Sequence, residues 1–329
     1  MKAITFNRLG PPDVLQLTEL PVPSAGPGTV RVRVQTAGVM PIDAKVRSGS
    51  VPYAQSHPFP IIPGNEFAGI IDEVGDDVSE FVRGDEVIGF TLFGGYAEYA
   101  VVSSDQLVRK PAAMPWETAG GFTGNGQGAH MGLEAIRIQP GDTVLIHGAA
   151  GGLGTFAVQL ALAWGAGRVI GTASEANHDH LQRLGAIPLG YGDGLAARVR
   201  AIAPAGVDAA LHAGGGDGLA ARVRAIAPAG VDAALHAGGG DDLALQASVD
   251  LVQDLSRIVA MVPSVRAQTL GIRQLTGTRS KERLAELVRI YNEGKVDIHI
   301  RKVLPLDQAR EAHREIESGH GRGKIVLSV

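Results

Sequence analysis

The sequence predicts an α/β protein in two parts, a β-rich domain followed by a doubly wound parallel sheet, and three observations predict it. Up to about Pro111 the chain carries short alternating segments, VRVRVQTAGV (Val30 to Val39) and GYAEYAVV (Gly95 to Val102) among them, punctuated by Gly and Pro. That is the pattern of strands that bury one face. From Thr143 it changes to apolar strand, glycine turn and helix: TVLIHG, then GGLGTFAVQLALAWG, RVIGTA and HDHLQRLGA, a βαβ series. The C-terminal stretch then offers a helix (281–293), an alternating segment (297–303), a second helix (306–318) and a last strand (324–329), and is expected to rejoin the β-rich part. Composition shifts near residues 115 and 278. The expected division is therefore 1–115 with 279–329 as one domain and 116–278 as the other.

With 329 residues, 45% of them hydrophobic and 19% charged, the chain has enough apolar mass for two buried cores. A formal charge of −4 without a dense Lys/Arg run argues against nucleic acid and anionic membrane as partners. The absence of cysteine excludes disulfides, thiolate nucleophiles, iron–sulfur clusters and Cys-ligated zinc. MKAITFNRLG is polar and alternating, not an apolar signal core, and no apolar run reaches membrane-span length; a cytoplasmic enzyme is the expectation.

The strongest local motif is GAAGGLG, comprising Gly148, Ala149, Ala150, Gly151, Gly152, Leu153 and Gly154. It follows an apolar strand and opens a helix. Glycine there permits a tight turn and close approach of backbone to a pyrophosphate, while the helix N-terminus supplies N–H donors. An acidic residue at the end of the next strand would favour NAD by binding a ribose 2′-hydroxyl. That strand ends instead in Gly171, Thr172, Ala173, Ser174, with no acid before Glu175. Ser174, Asn177 and His178 can donate to a 2′-phosphate, so the expected cofactor is NADPH; Thr172 and Tyr191 complete the candidate contacts. Ser174 taken alone reads equally well as a helix N-cap.

Several segments together resemble the medium-chain dehydrogenase/reductase superfamily, and more closely its zinc-free quinone oxidoreductase branch. They are AGVMPIDAKVRSG (Ala37 to Gly49), IPGNEFAGIIDEVGDDV (Ile62 to Val78), GDEVIGF (Gly84 to Phe90), GGYAEYA (Gly94 to Ala100), HGAAGGLG, GTAS and ESGHGRGKIVL (Glu317 to Leu327). The resemblance covers essentially the whole chain. It implies a GroES-like catalytic domain joined to a Rossmann nucleotide-binding domain, and it leaves the oligomeric state open, a homodimer included.

The resemblance also places Met40 and Asn65 where the superfamily's zinc enzymes carry a Cys and a His ligand. Catalytic zinc needs three protein ligands of His, Cys or carboxylate type, which Met40 and Asn65 do not supply, so no metal is expected. Without a Lewis acid the implied acceptor is one whose own conjugation draws the hydride, a quinone or an α,β-unsaturated carbonyl. An enoyl-thioester or polyketide-pathway enoyl reductase, and an NADPH-binding protein without turnover, stay open as alternatives. A developing oxyanion needs a donor, and Tyr53 is the candidate, with an aromatic loop anchor as its plain alternative. Asp43 is a second catalytic candidate; Asp43 and Lys45 read either as cleft residues or as a structural ion pair. Asn65 reads as a polar turn residue and Glu66 as structural. Family members usually carry Asn at Met40 and Thr-Ala-Tyr at Gly128, Ala129, His130, so those contacts differ here. His147 reads as a packed turn residue, and none of the ten histidines falls on a metal-ligand spacing.

One feature lies outside the family pattern. Residues 192–215, GDGLAARVRAIAPAGVDAALHAGG, recur identically as 216–239. Two copies do not make a solenoid. Each encodes one helix and one strand, and the fold needs only one pair. The expectation is that one copy fills the native slot while the other is extruded as a peripheral helix, because a seventh strand would separate neighbours fitted to each other.

Overall fold

The computed structural model describes residues 1–190, 195–205, 207–212, 233–236, 258–260, 265–275, 278–319 and 321–329. The chain divides into two compact units, Met1–Gln127 with Arg279–Asn292 and Ile298–Val329, and Gly128–Thr278 with Glu293–Asp297.

The first unit is built on β-strands. β1 (Lys2–Thr5) and β2 (Gln16–Glu19) form a small antiparallel sheet. β3 (Thr29–Val39) is the long central strand of the main sheet, where it pairs with β4 (Glu66–Val74) and, over its first half, with β6 (Tyr99–Ser103). β5 (Glu86–Phe90) lies between β4 and β7 (Leu107–Arg109). In β3 the period of two places Val30, Val32 and Val34 in the core and leaves Arg31 and Arg33 off it, as alternation requires. Helix α1 (Pro41–Ser48) follows at once. Pro41 suits its first position, the Asp43 carboxylate accepts from Met40 N at 2.9 Å, and Gly49 at φ 79° ends it, three familiar helix-boundary devices. A short helix, α2 (Pro52–Gln55), comes next.

This unit extends to Gln127, beyond the boundary expected at residue 115. The reason is α3 (Trp116–Gly120), which is seated on β3. Thr36 Oγ1 donates to Trp116 O at 2.6 Å, and a Cβ on Gly120 would come within 2.4 Å of Thr36 Oγ1. α4 (Thr123–Ala135) then leads into the second unit.

The second unit holds β8 (Thr143–His147), α5 (Gly152–Ala163), β9 (Arg168–Thr172), α6 (His178–Arg183), β10 (Ile187–Leu189), α7 (Leu195–Ile202), β11 (Ala209–His212), β12 (Ala233–His236), β13 (Ile258–Ala260) and β14 (Arg273–Gln274). All pairings are parallel, in the order β10-β9-β8-β11-β12-β13-β14. α5 is buried along Gly154 to Ala161, matching its nearly unbroken apolar run. Glu293–Asp297 belongs to this unit because Gln159 grips Asp297 at both ends: Nε2 donates to Asp297 O at 2.8 Å and Oε1 accepts from Asp297 N at 2.7 Å. The chain then returns to the first unit, where β15 (Ile300–Pro305) pairs with β16 (Lys324–Ser328) and β16 pairs antiparallel with β3.

The repeat corrects the expectation of extrusion. Both copies contribute a strand, and β11 and β12 are neighbours with Ala209 opposite Ala233 and His212 opposite His236. A whole helix-plus-strand unit brings its own crossover, so every strand stays parallel. Because the copies are identical, each existing neighbour still meets the sequence AALH: β8 through the first copy and β13 through the second. The helix of the first copy is α7, with Leu195 and Val199 buried; that of the second, residues 219–227, lies outside the described residues. Removing 216–239 should therefore restore a six-stranded sheet in which every remaining strand meets the same side chains. The single-copy protein is expected to be soluble and to melt cooperatively by circular dichroism; an aggregated product would contradict this.

Candidate functional site

In the second unit the glycine motif forms the turn between β8 and α5. Gly148 sits at φ 67°, a region costly for any residue with a Cβ. Ala149 N donates to Thr172 O at 3.0 Å and Gly151 N to Gly148 O at 3.0 Å, so the loop is drawn down onto the sheet. A Cβ on Gly154 would meet Gly148 O at 2.3 Å, and one on Gly171 would meet Ala149 Cβ at 2.9 Å. Glycine at both places lets helix, loop and strand touch. Gly151 N-caps α5 without any side-chain cap, and Ala150, Gly152 and Leu153 fill the rest of the turn. One turn further on, the buried Thr155 Oγ1 has no hydrogen-bond partner. Uncapped N–H groups at the end of a twelve-residue helix are a ready site for an anion.

The remaining cofactor candidates fall in different places. Ser174 is exposed at the end of β9; its hydroxyl accepts from Asn177 Nδ2 at 3.0 Å and does not cap the turn that follows. His178, half-buried, opens α6, and its Nε2 has no hydrogen-bond partner. Thr172 points into the sheet: it is fully buried, its Oγ1 3.1 Å from His147 Nδ1. It thereby holds the histidine and offers a ligand only its backbone. Tyr191 lies outside the described residues.

In the first unit a buried polar layer surrounds Asp43. Asp43, 2% exposed, accepts from Met40 N and Tyr96 OH through Oδ2 at 2.9 and 3.0 Å, and from Asn65 Nδ2 through Oδ1 at 3.0 Å. The ion pair with Lys45 is not formed; three hydrogen bonds occupy the carboxylate instead. Asn65 is no plain turn residue either. Arg279 grips it from the other side, donating to Asn65 O at 2.8 Å, to Asn65 Oδ1 at 3.3 Å and to Thr91 O at 2.6 Å, with its guanidinium over the Phe90 ring. Gln127 Oε1 accepts from Ser280 N at 2.8 Å and so fixes the next residue.

Burial dominates the electrostatics of this layer. It pushes the Asp43 carboxyl up to about 7, against the lowering effect of the Met40 N–H and the Tyr96 hydroxyl. Burial, and then the nearby Asp43 charge, raise the Tyr96 phenol. Arg279 is lowered by burial, with Glu66 and Asp43 opposing. Tyr53, 38% exposed on α2 with its ring 6.1 Å from that of Phe93, is raised by partial burial and by Asp43, while Arg279 lowers it. Glu66, beside Asn65, is wholly buried; it pairs with Lys324 from β16 and accepts from Gly124 N at 2.7 Å. Tyr96, Arg279 and Lys324 went unmarked in the sequence. Tyr96 lies in an alternating segment and Lys324 opens the last strand, while Arg279 has no local signal. Among the described residues no three His or acidic side chains are placed to share a metal ion.

The quinone oxidoreductase structure from Coxiella burnetii is similar over the full chain, at 31% identity and a TM-score of 0.78, covering 99% of that chain. The chain belongs to the medium-chain dehydrogenase/reductase superfamily, in its quinone oxidoreductase branch. The alcohol dehydrogenase GroES-like domain family matches residues 26–112 of this superfamily member, and the zinc-binding dehydrogenase family matches residues 190–327. Mouse quinone oxidoreductase is 36% identical over 185 residues, 53% of this chain and 52% of the relative; the chain spans about half the length of the curated relatives it matches. A mycobacterial structure complexed with NADPH is 26% identical over the full length of both chains, with a TM-score of 0.79. Membership supports binding of a nicotinamide cofactor.

The buried Glu66–Lys324 pair yields a direct test. Glu66→Gln or Lys324→Met alone leaves one buried charge uncompensated and should lower unfolding free energy by about 3–5 kcal/mol. The double variant should recover most of that loss in denaturant titrations. A double variant no more stable than the worse single would contradict the pairing.

Proposed function

We propose that this chain is a zinc-independent, NADPH-dependent reductase that transfers hydride to a quinone or an α,β-unsaturated carbonyl. The observation that carries the proposal is the donor set around Asp43. The positions the family uses for zinc hold a thioether, Met40, and an amide, Asn65, whose nitrogen donates to Asp43 while its oxygen faces Arg279. Neither matches the His, Cys or carboxylate ligands that zinc requires, so the residues present do not fit the metal. An acceptor that needs no Lewis acid follows from that chemistry. Relatives named quinone oxidoreductase support the substrate class.

The glycine turn fits the cofactor. Its uncapped N–H groups suit a pyrophosphate. Ser174 and Asn177, bonded to each other at 3.0 Å, with His178 beside them, suit a 2′-phosphate. A mycobacterial relative complexed with NADPH supports the same choice. NADPH, when bound, supplies the hydride. Tyr53 is the donor to the oxyanion that develops on the acceptor; raised by burial and by Asp43, its phenol keeps its proton at neutral pH. Asp43, enclosed by its three donors, is a positioning residue that fixes Asn65 and α1 and places a charge near Tyr53.

Two measurements test this reading. NADPH should bind more tightly than NADH in fluorescence titrations; equal dissociation constants would remove the case for a 2′-phosphate site. In turnover assays on quinones, enones and enoyl thioesters, Tyr53→Phe should lower kcat on the order of 100-fold with little change in NADPH affinity, and chelator treatment of the parent should leave turnover intact. Unchanged kcat in the variant would return Tyr53 to the role of an aromatic anchor, and chelator-sensitive turnover would overturn zinc independence.

A further inference from the structure

A short segment at the exit of β5, residues 91–93, joins the polar layer of the first unit to Tyr53. Thr91 N donates to Asn65 O at 3.1 Å, and Thr91 O accepts from Arg279 at 2.6 Å, so both of its backbone groups are taken up. Its hydroxyl donates to Phe93 O at 2.8 Å, and Gly94 N donates to Ile62 O at 2.8 Å. The backbone of Phe93 is thus held from both sides. Its ring meets two others, Tyr53 at 6.1 Å with the planes at 56° and His57 at 4.5 Å with the planes at 71°, tilted and edge-on arrangements that aromatic pairs favour. Tyr53 sits on α2, a helix of four residues, too short to be held by its own hydrogen bonds. The Phe93 ring therefore steadies the phenol, and Arg279 stands at the far end of the same series of contacts.

We propose that Arg279 is a positioning residue for Tyr53: by clamping Thr91 against Asn65 it fixes the segment that carries the Phe93 ring, and so aims the phenol at the acceptor. The inference rests on the reading of Tyr53 as the donor to the developing oxyanion. The clamp uses the guanidinium as a fork, with Nη1 on Asn65 O at 2.8 Å and Nη2 on Thr91 O at 2.6 Å, a two-point grip that a planar group supplies and an ammonium does not. Arg279 is itself seated over the Phe90 ring at 5.2 Å, so the fork has a rigid base. A second, electrostatic influence runs the same way. Burial and then Asp43 raise the Tyr53 phenol, and the Arg279 charge opposes them. Arg279 acts on the donor and not on the acceptor.

The test uses the full chain and two readouts. Ring-to-ring nuclear Overhauser contacts between Tyr53 and Phe93, in protein with ¹³C-labelled aromatic rings and with Tyr53→Phe as the assignment control, report position without reference to turnover. They should be present in the parent and lost in Arg279→Met. With NADPH and 1,4-benzoquinone, Arg279→Met should lower kcat at least about 10-fold, as misplacement of a reacting group does, and should cost nothing further in a Tyr53→Phe background. The circular dichroism melt reports whether each variant folds; if Arg279→Met does not, Thr91→Val, which removes only the hydroxyl bonded to Phe93 O, replaces it in both readouts with a smaller loss in the same direction. Ring contacts that persist in the variant, or an Arg279→Met cost as large in the Tyr53→Phe background as in the parent, would overturn the inference and leave Tyr53 as donor. Unchanged kcat in Tyr53→Phe alone would instead remove the underlying reading, and the inference with it.

Discussion

The Asp43 carboxylate is the constraint on which the polar layer of the first unit depends. Its two oxygens take three donors from three places in the sequence: Met40 N at the start of α1, Asn65 at the entry to β4, and Tyr96 ahead of β6. Asn65 and Tyr96 are removed from bulk water, and a buried donor left unpaired costs about 1–3 kcal/mol. One small side chain thus fixes the start of a helix, the orientation of an amide and the depth of a phenol. Arg279 closes the layer from the other side through Asn65 and Thr91. Met40, Asn65 and Tyr96 are thus members of one network committed to Asp43.

The second unit depends on register. Parallel strands are joined by crossovers, so a complete helix-plus-strand unit is a natural quantum of insertion. The repeated 24 residues supply one such unit, and the sheet accepts it between the partners of the original strand. The same register aligns Ala with Ala, Leu with Leu and His with His across β11 and β12. An exact sequence repeat becomes an exact spatial repeat.

The glycine turn was legible because its physics is local. A strand, a residue at positive φ and a helix N-terminus lie within a dozen positions, and Gly148 and Gly154 take the conformation and the close contacts that their lack of a Cβ permits. The alternation of β3 and the return of β16 to it were legible for the same reason. The polar layer was not, because Tyr96 and Arg279 meet Asp43 and Asn65 only through tertiary folding, and nothing in the stretch around Arg279 has a period. Asn65 looked like a turn residue because sequence shows its neighbours along the chain and hides those across the fold. The place of the second copy's strand beside the first was not legible, because strand pairing is set by contacts between segments and not within one.

Asp43 is a buried carboxylate whose bonds organise the candidate site, and its own titration tests this most directly. In the folded protein the carboxyl should take up its proton near pH 7, against an ordinary value of 3.8. The folded state then holds a proton that the unfolded chain releases across that window, so the contribution of Asp43 to stability is greatest at low pH and declines as pH rises through about 7. Carboxyl-carbon NMR on ¹³C-aspartate-labelled protein, with Asp43→Asn identifying the resonance, reads the midpoint. A midpoint near 7 is the predicted result. A midpoint near 4 would contradict burial as the dominant influence on this carboxyl.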